Sequence, residues 1–331
     1  MTPHTNEFVV LMPARNEARN LPSAVSSLND SRDIPSRDLH LLVCANACTD
    51  DTVEVLEGLK GKQRNMEYIT ESIPGKPRAL NALIDKAEGS FRMGTDDYVI
   101  FLDADARVQP ETISKLTSTL RTDKGLNAVS ANDVAAAPQS ASILEHLLFG
   151  IGEVSLSTLA LRDRKASCTA VRGSLVRGMR FPEHVMADDL WMAMYLGIDA
   201  VDTHPTAAVD VLPSRNFFHF ASQRVKHLMG LYQLEEFYPA HEVREHLPMG
   251  THEHVQALMG DAELQDQFMQ LPDVYKVSTL LAIPIHAALK AAAWVGYRLS
   301  PAKRNHSIPI PRPATAMNAS RARGRRTASL A

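Results

Sequence analysis

The feature that most constrains the fold is a series of short apolar, strand-like runs in the first 131 residues. The five runs are Phe8–Met12, Leu39–Cys44, Met66–Thr70, Tyr98–Leu102 and Leu126–Ala131. The segments between them have a helical pattern, at Arg19–Leu28, Asp50–Leu59, Lys76–Ala87 and Pro110–Leu120. Strands without polar alternation are typical of a sheet that is buried on both faces. Because the strands alternate with helices, we expect an α/β domain with a parallel sheet that is flanked by helices.

Composition limits the class of protein. The chain has 331 residues, of which 45% are hydrophobic and 22% charged, which excludes a wholly disordered chain, a collagen and a disulfide scaffold. The formal net charge of −3 is not that of a nucleic-acid-binding protein, so we expect no specific nucleic-acid partner. Three cysteines and an N-terminus without a basic segment or an apolar run indicate a cytoplasmic protein without a signal peptide.

The second half of the chain is less regular. The expected elements are a long helix at Gln139–Leu161, a strand at Cys168–Gly173, a helix that begins at Asp188 and Asp189, a strand pair near Asp199–Val211 and mixed helices from Phe217 to about Leu299. We expect one domain at residues 1–230 and a helical extension at residues 231–300. A disordered basic tail would follow at residues 301–331.

The C-terminal region contains the most apolar stretch and the most basic one. Val277–Val295 is interrupted by Pro284, His286 and Lys290, so three interpretations stay open: a packed helix, a helix at a membrane surface and a membrane-spanning helix. Residues 301–331 contain seven Lys and Arg and no acid, which leaves −10 for residues 1–300. This tail predicts a peripheral contact with an anionic membrane at its inner face.

Polar residues follow three of the predicted strands. They are PARNE (Pro13–Glu17), ANACTDDT (Ala45–Thr52) and DADARV (Asp103–Val108). Ligands of open α/β sheets bind beyond the carboxyl ends of the strands, so these segments form the candidate site. Asp103 and Asp105 can share one divalent cation, although a solvated turn or a helix cap would have the same sequence.

Two later motifs have both a structural and a chemical interpretation. Asp188 and Asp189 are either helix caps or, if one faces a cleft, an acceptor for the proton of a hydroxyl group. QRVKH (Gln223–His227) is either an ordinary charged helix face or a contact for phosphate or sugar.

The order of the motifs is more specific than any one of them. PARNE, NACTDDT, GKPRALN, DADARV, ADDLW and QRVKH, in that order, resemble the family-2 glycosyltransferases of the GT-A fold over Phe8 to Gly230. ADDLW is similar to the acidic ED motif of that family, with Asp188 in the Glu position. QRVKH is similar to its QxxRW motif, with Lys226 for Arg and His227 for Trp.

The resemblance implies transfer of one sugar from a nucleoside-diphosphate sugar, with inversion and with Mn²⁺ or Mg²⁺. Four residues would contact the nucleoside: Pro13, Ala14, Asn16 and Glu17. Asn46 and Asp50 would lie near the base, and Lys76 beside the nucleotide. Asp103 and Asp105 would hold the metal ion on the diphosphate. Asp189, next to Asp188, would be the general base. Gln223, Arg224 and Lys226 would close over the acceptor or the diphosphate.

One departure from the family pattern concerns the nucleotide base. Ala45-Asn46 stands where the family has an acidic pair, so a preference for UDP is in doubt and GDP donors are plausible. The acceptor stays open among saccharides, lipid-linked acceptors and small molecules. Two other functions stay open: a sugar nucleotidyltransferase, which would need a glycine-rich loop that PARNE lacks, and a non-catalytic nucleotide-sugar-binding protein.

Overall fold

The chain forms two compact units. The computed structural model describes residues 7–35, 37–60, 65–135, 143–151, 166–211, 217–239, 269–271 and 273–299. Among the described residues, the first unit lies within 7–134 and 166–211, and the second within 135–151 and 217–299. The predicted tail, and residues 139–142 and 152–161 of the predicted long helix, lie outside the described residues.

The first unit alternates strands and helices as predicted. Its strands are β1 (Phe8–Ala14), β2 (Leu39–Asn46), β3 (Met66–Glu71), β4 (Tyr98–Leu102), β5 (Ala106–Val108), β6 (Ala128–Ala135), β7 (Cys168–Arg172) and β8 (Val201–Val211). Its helices are α1 (Leu21–Asn29), α2 (Thr52–Lys60), α3 (Lys76–Ser90), α4 (Thr112–Thr122), α6 (Gly173–Val176) and α7 (Asp188–Leu196), and helix α5 (Ile143–Phe149) belongs to the second unit. A 3₁₀ turn at Ile198–Ala200 precedes β8.

All eight strands form one sheet in the order β3-β2-β1-β4-β7-β6-β8-β5. The pairs among β3, β2, β1 and β4 are parallel, as predicted. The prediction of a wholly parallel sheet is wrong for the rest, because β7 lies antiparallel to both β4 and β6, and β5 is antiparallel to β8. A strand that is buried on both faces has the same apolar sequence in either direction, so local pattern does not encode its orientation.

The predicted strand pair near Asp199–Val211 is wrong, because this segment forms the single strand β8. Pro205 interrupts the apolar pattern and is therefore typical of a turn. The pairing with β5 covers only Val209–Val211, so Pro205 removes no hydrogen bond from it. His204 Nδ1 accepts hydrogen bonds from the backbone N–H groups of Thr206 (3.1 Å) and Ala207 (3.0 Å).

Helices cover both faces of the sheet, which explains the continuous apolar runs. Val10 and Met12 of β1 share one hydrophobic cluster with residues of α1 and α4 such as Leu21 and Leu116. Their neighbours Val9 and Leu11 point to the opposite face, since successive side chains of a strand alternate. That face packs against α3, whose Leu80, Leu83 and Ile84 are buried.

The second unit is helical in its described part. Its helices are α5 (Ile143–Phe149), α8 (Phe217–Phe237) and α9 (Asp273–Leu299). The apolar stretch Val277–Val295 lies within α9, which packs against α8 and α5. Ala282 is fully buried and forms a cluster with Ile151, Leu147, Ile285 and Leu289. Within the described residues, no helix is both long enough and apolar enough to span a bilayer.

One buried carboxylate anchors the chain just before the central strand β4. The side chain of Asp97 is 3% exposed and accepts hydrogen bonds from the backbone N–H groups of Glu7 (3.1 Å) and Gly94 (2.7 Å). Arg92 donates two more, from Nε at 3.2 Å and Nη2 at 3.1 Å. Burial alone would raise the pKa of Asp97, but these donors outweigh it and hold the pKa below the ordinary value.

Because the folded pKa of Asp97 lies below the unfolded value of about 3.9, its contribution to stability is complete above pH 5 and disappears as the pH falls through the folded pKa. We expect Asp97→Asn to lower the free energy of unfolding at pH 7 by about 1–3 kcal/mol. The deficit should shrink at pH 3. Thermal unfolding followed by circular dichroism at both pH values measures this, with the exposed neighbour Asp96→Asn as the control. An equal deficit at the two pH values would contradict the assignment.

Candidate active site

The candidate site lies where three parallel strands end at the same edge of the sheet. β1 ends at Ala14, β2 at Asn46 and β4 at Leu102, and the pairing of β1 with its two neighbours aligns these ends. The segments that follow them are the three predicted polar segments. The topology therefore brings together residues that are up to 95 positions apart in the sequence.

The first two polar segments are tied to each other by hydrogen bonds. Asn16, which has a φ of +60°, accepts hydrogen bonds at Oδ1 from the backbone N–H (2.8 Å) and the hydroxyl (3.3 Å) of Thr49. The backbone N–H of Glu17 donates to the Thr52 hydroxyl (2.8 Å), and that of Ala18 donates to Asp50 Oδ2 (3.3 Å). These contacts fix the two loops as one surface.

Pro13, Ala14, Asn16 and Asp50 were predicted to contact the nucleoside or the base. Pro13 is half-buried and Ala14 is buried at the end of β1, whereas Asn16 and Asp50 are exposed. All four therefore lie at this edge of the sheet, and their contacts with a nucleotide remain predictions.

Asn46 is a buried residue that supports the site through hydrogen bonds to the backbone. It is 2% exposed, its Nδ2 donates to the Ile73 carbonyl (2.8 Å), and its Oδ1 accepts from the backbone N–H of Gly75 (2.7 Å). Gly75 has a φ of +155°, which L side chains rarely adopt, and directly precedes α3. Asn46 thus holds the turn that places Lys76, the first residue of α3.

Lys76 connects the third polar segment to the Asp188-Asp189 pair. Its Nζ lies 2.8 Å from Asp103 Oδ1, 2.9 Å from Asp188 Oδ2 and 4.0 Å from Asp189 Oδ1. Burial disfavours the charge of the ammonium group, but these carboxylates outweigh it and hold the pKa of Lys76 well above its ordinary value. Lys76 is therefore a fixed positive charge among acidic groups.

Asp188 and Asp189 begin α7, as predicted, at the end of the helix where backbone N–H groups favour negative charge. Burial and the neighbouring Asp188 charge raise the pKa of Asp189 well above its ordinary value. Burial opposes ionisation of Asp188 as well, but Lys76 outweighs it and lowers the pKa of Asp188. Two adjacent carboxyl groups thus have different affinities for a proton, which is a recurrent feature of acid–base sites.

The end of β1 and the end of β4 contribute a second group of acids. Burial raises the pKa of Glu17, despite a hydrogen bond from Asn20 (2.6 Å). The negative charges of Asp105 and Asp103 raise it further. Among the described residues, no group of three or more His, Cys, Asp and Glu side chains is arranged to hold a metal ion.

Asp103 and Asp105 nevertheless have the chemistry that a hard cation needs. Both are half-buried carboxylates on the turn after β4, and their field already disfavours the ionisation of Glu17. Mg²⁺ and Mn²⁺ prefer oxygen ligands, and Mg²⁺ is typically held by one or two carboxylates together with substrate phosphates. The pair therefore fits a divalent cation that is shared with a diphosphate.

Sequence reasoning did not identify the residues that align Lys76 with Asp188. Asn81, one and a half turns further along α3, donates from Nδ2 to the Phe181 carbonyl (2.8 Å) and accepts at Oδ1 from the Phe181 N–H (2.8 Å). Arg78 forms an ion pair with Glu183. These contacts fasten the segment before α7 to α3. The sequence around Arg78 and Asn81 gave no sign of these distant partners.

A second support lies behind the turn after β4. Asp133 accepts from the backbone N–H (3.0 Å) and hydroxyl (2.8 Å) of Ser167, whose carbonyl accepts from the backbone N–H of Asp103 (2.9 Å). Asp133 thus positions Asp103 through the chain that enters β7, and no local pattern indicated it.

The remaining predicted residues belong to the second unit. Gln223, Arg224 and Lys226 lie in α8, and the side chain of Lys226 is exposed. Their predicted contact with the acceptor or the diphosphate remains a prediction.

Part of the sequence matches a known protein family. Residues 9–139, which contain the first three polar segments and Lys76, match the model of the family described as glycosyl transferase family 2. This part of the chain is therefore similar to family 2 glycosyltransferases. No curated protein matches the sequence.

Comparison with one solved structure confirms the expected GT-A fold. The mannosyltransferase PcManGT from Pyrobaculum calidifontis, solved with GDP-Man and Mn²⁺, has a TM-score of 0.60 and 17% identity over 90% of this chain and 88% of its own. TarS 1–349 of S. aureus with UDP has a TM-score of 0.48 and 13% identity over 92% and 94%. Glucosyl-3-phosphoglycerate synthase from Mycobacterium tuberculosis has a TM-score of 0.46 and 18% identity over 69% and 79%.

Proposed function

We propose that this protein is a glycosyltransferase that moves one sugar, a hexose, from a nucleoside-diphosphate sugar to a hydroxyl group of a saccharide, a lipid-linked acceptor or a small molecule. The observation that carries the proposal is the position of Lys76, which joins the carboxylate of Asp103 to that of Asp188. One lysine side chain thus contacts both Asp103, which would bind the metal ion, and Asp188, the neighbour of Asp189, which would be the base. Sugar transfer needs both.

The donor would bind at the carboxyl edge of the sheet, with its nucleoside on the joined loops of Asn16 and Thr49. Its diphosphate would lie between Asp103, Asp105 and Lys76. A divalent cation, Mn²⁺ or Mg²⁺, held by Asp103 and Asp105 would neutralise the charge that develops on the departing diphosphate. Lys76 supplies a second positive charge at the same place.

Asp189 would act as the base. As the oxygen of the acceptor hydroxyl forms its bond to the anomeric carbon, the bond from that carbon to the diphosphate oxygen breaks and the diphosphate takes the electron pair. The hydroxyl proton passes to Asp189, whose raised pKa makes it a stronger proton acceptor than an ordinary carboxylate. Lys76 keeps Asp188 ionised and oriented beside it. A single displacement inverts the anomeric configuration.

The identity of the nucleotide base in the sugar donor is not yet assigned. Ala45 is buried and offers no polar group, and both ends of the Asn46 amide are used within the fold. No carboxylate from these two positions is thus available to the base. PcManGT was solved with GDP-Man and Mn²⁺, so GDP sugars are the first donors to test.

The three cysteines agree with a reducing compartment. Cys44, Cys48 and Cys168 are free thiols, and burial raises the pKa of Cys44 to about 12, which makes that thiol unreactive. We therefore place the reaction in the cytoplasm.

A thermal-shift panel tests the proposal. UDP, GDP, dTDP and CDP are each added with and without Mn²⁺, and we expect one of them to raise the unfolding temperature only when Mn²⁺ is present. A ligand at 100 times its Kd stabilises the folded state by about 2.7 kcal/mol, which amounts to several degrees for a domain of this size. No shift with any nucleotide would contradict the proposal.

A second measurement separates the possible activities. The sugar donor of the stabilising nucleotide is then incubated with a panel of acceptors, and NMR of the product reads the anomeric configuration. Inversion is expected. Binding without turnover would favour a non-catalytic protein, and release of pyrophosphate from a nucleoside triphosphate would favour a nucleotidyltransferase.

A further inference from the structure

Helix α9 of the second unit has one buried face. Ala282 and Ala293 are fully buried, and Ile285 and Leu289 pack into the cluster with Ile151. The ring of Tyr297 stacks on that of Tyr232 in α8, with ring centroids 6.1 Å apart, and its hydroxyl donates to Glu236. These contacts fix which side of α9 is turned away from α8 and α5.

The opposite face is apolar and exposed to solvent. Leu281 is 42% exposed, and Trp294 and Val295 are each 47% exposed. Four alanines between them are also exposed, at positions 287, 288, 291 and 292. With 3.6 residues per turn, these seven side chains occupy an arc of about 160° around the helix. A continuous apolar strip of this kind marks an interaction surface rather than an ordinary solvent face.

The charge of this part of the chain selects the partner. From Val274 to Ala331 the sequence has no Asp or Glu. The same segment has ten basic residues: Lys276, Lys290, Arg298, Lys303, Arg304, Arg312, Arg321, Arg323, Arg325 and Arg326. Three of them lie on α9, and the other seven follow within 32 residues of its end. An apolar strip in a segment with basic but no acidic residues complements a surface that is both hydrophobic and negatively charged.

We propose that α9 docks this protein on an anionic lipid bilayer. The strip of Leu281, the four alanines, Trp294 and Val295 lies at the boundary between head groups and acyl chains, with the helix parallel to the membrane. Arg298, whose guanidinium lies 5.2 Å from the centroid of the Trp294 ring, reaches the lipid phosphates. Trp and Arg are the side chains that favour this boundary, because each combines an apolar body with a polar end.

A nucleic acid would also attract the basic residues, but it offers no counterpart to the apolar strip. The phosphate backbone of a duplex is charged and hydrated, so binding it would not bury the apolar side chains of the strip. The lipid bilayer satisfies both features at once, so the strip decides between the two partners.

Vesicle sedimentation of the full chain tests the docking. At low salt we expect binding to vesicles of phosphatidylglycerol and phosphatidylcholine in equal parts, and none to pure phosphatidylcholine. The double variant Trp294→Glu, Val295→Glu should reduce binding at least tenfold, by about the same factor as the quadruple variant Arg321→Gln, Arg323→Gln, Arg325→Gln, Arg326→Gln. Val53→Glu, at a 38% exposed valine of α2, is the matched control and should bind like the unaltered protein.

Tryptophan fluorescence gives a readout that does not depend on a disruptive substitution. The chain has two tryptophans, of which Trp191 is fully buried between the rings of Phe181 and Tyr195, and Trp294 is half-exposed. Anionic vesicles should therefore shift the emission to shorter wavelength through Trp294 alone. Trp294→Phe should bind the vesicles without that shift.

Three results would overturn the proposal. They are unaltered protein that remains in the supernatant with anionic vesicles, a Trp294→Glu, Val295→Glu protein that folds and binds like the unaltered one, and binding to duplex DNA without binding to vesicles. None of these measurements uses a sugar donor, so the docking can fail while the transferase activity stands.

Discussion

Replacing Asp189 by asparagine is expected to lower kcat for sugar transfer by about 10²- to 10⁴-fold, the range that general-base catalysis contributes. Asparagine has the shape of the carboxylate but does not take up the proton of the acceptor hydroxyl. Donor binding should be unchanged, because the closest charge to Lys76 comes from Asp103 and Asp188 rather than from Asp189. Since the substitution also removes a like charge beside Asp188, we expect no decrease in the unfolding temperature.

Asp188→Asn is the matched control for this prediction. It removes a carboxylate one residue away that holds Lys76 at 2.9 Å, so it should loosen the lysine and weaken nucleotide binding as well as turnover. Steady-state kinetics at saturating donor, together with thermal shifts by the nucleotide and Mn²⁺, separate the two effects. If Asp189→Asn retains more than a tenth of the activity, Asp189 is not the base.

The second large effect is expected for Asp105→Ala. Metal ions contribute several kcal/mol of charge stabilisation in such reactions, so the loss of one of two carboxylate ligands should lower activity by about 10³-fold or more. Unlike Asp189→Asn, this substitution should also abolish the part of the thermal shift that depends on Mn²⁺. The alanine removes a charge that raises the pKa of Glu17, and the fold should tolerate that change.

Asp30→Ala controls for a general loss of negative charge. Asp30 is an exposed carboxylate at the C-terminal end of α1, and therefore at the opposite edge of the sheet from the candidate site. Its variant should keep both turnover and the Mn²⁺-dependent thermal shift. A fully active Asp105→Ala protein would refute metal-dependent transfer through this pair of aspartates.

The strands and helices of the first unit could be predicted because their signals are local. An apolar run such as Tyr98–Leu102 must be covered on both faces, and the observed strand β4 has the same bounds, with all five residues buried. The polar residues after β1, β2 and β4 were therefore predicted to converge, since parallel strands end at one edge. The turn of Asp103 and Asp105 follows the same rule.

The contacts that align the site could not be predicted. Lys76 and Asp188 are 112 positions apart, and their separation of 2.9 Å depends on how the segment before α7 is fastened to α3 by Asn81 and Phe181. Nothing in the sequence near Asn81 indicates that its partner is a backbone group 100 residues later. The antiparallel direction of β7 could not be predicted either, because an apolar sequence fits a strand of either direction.

Both the sequence and the tertiary structure were needed to locate the exposed strip on α9. The sequence supplied the apolar stretch and the ten basic residues without an acid, but it left open which side of the helix is covered. Packing against α8 and α5 buries Ala282 and Ala293 and leaves Trp294 and Val295 in solvent. The proposed docking surface exists because the packing leaves these apolar side chains exposed.

The sequence by itself determined the α/β class, the strand and helix order of the first unit, the edge of the sheet that carries the candidate site and the residues of the family motifs. Each of these follows from side-chain chemistry over a few neighbouring residues. The tertiary structure alone decided strand direction beyond β4, the joining of Asp103 and Asp188 by Lys76, the supporting roles of Asn46, Asn81 and Asp133, and the exposed face of α9. These depend on which distant segments pack together, because burial and hydrogen bonding are satisfied by the whole core and not by any one segment.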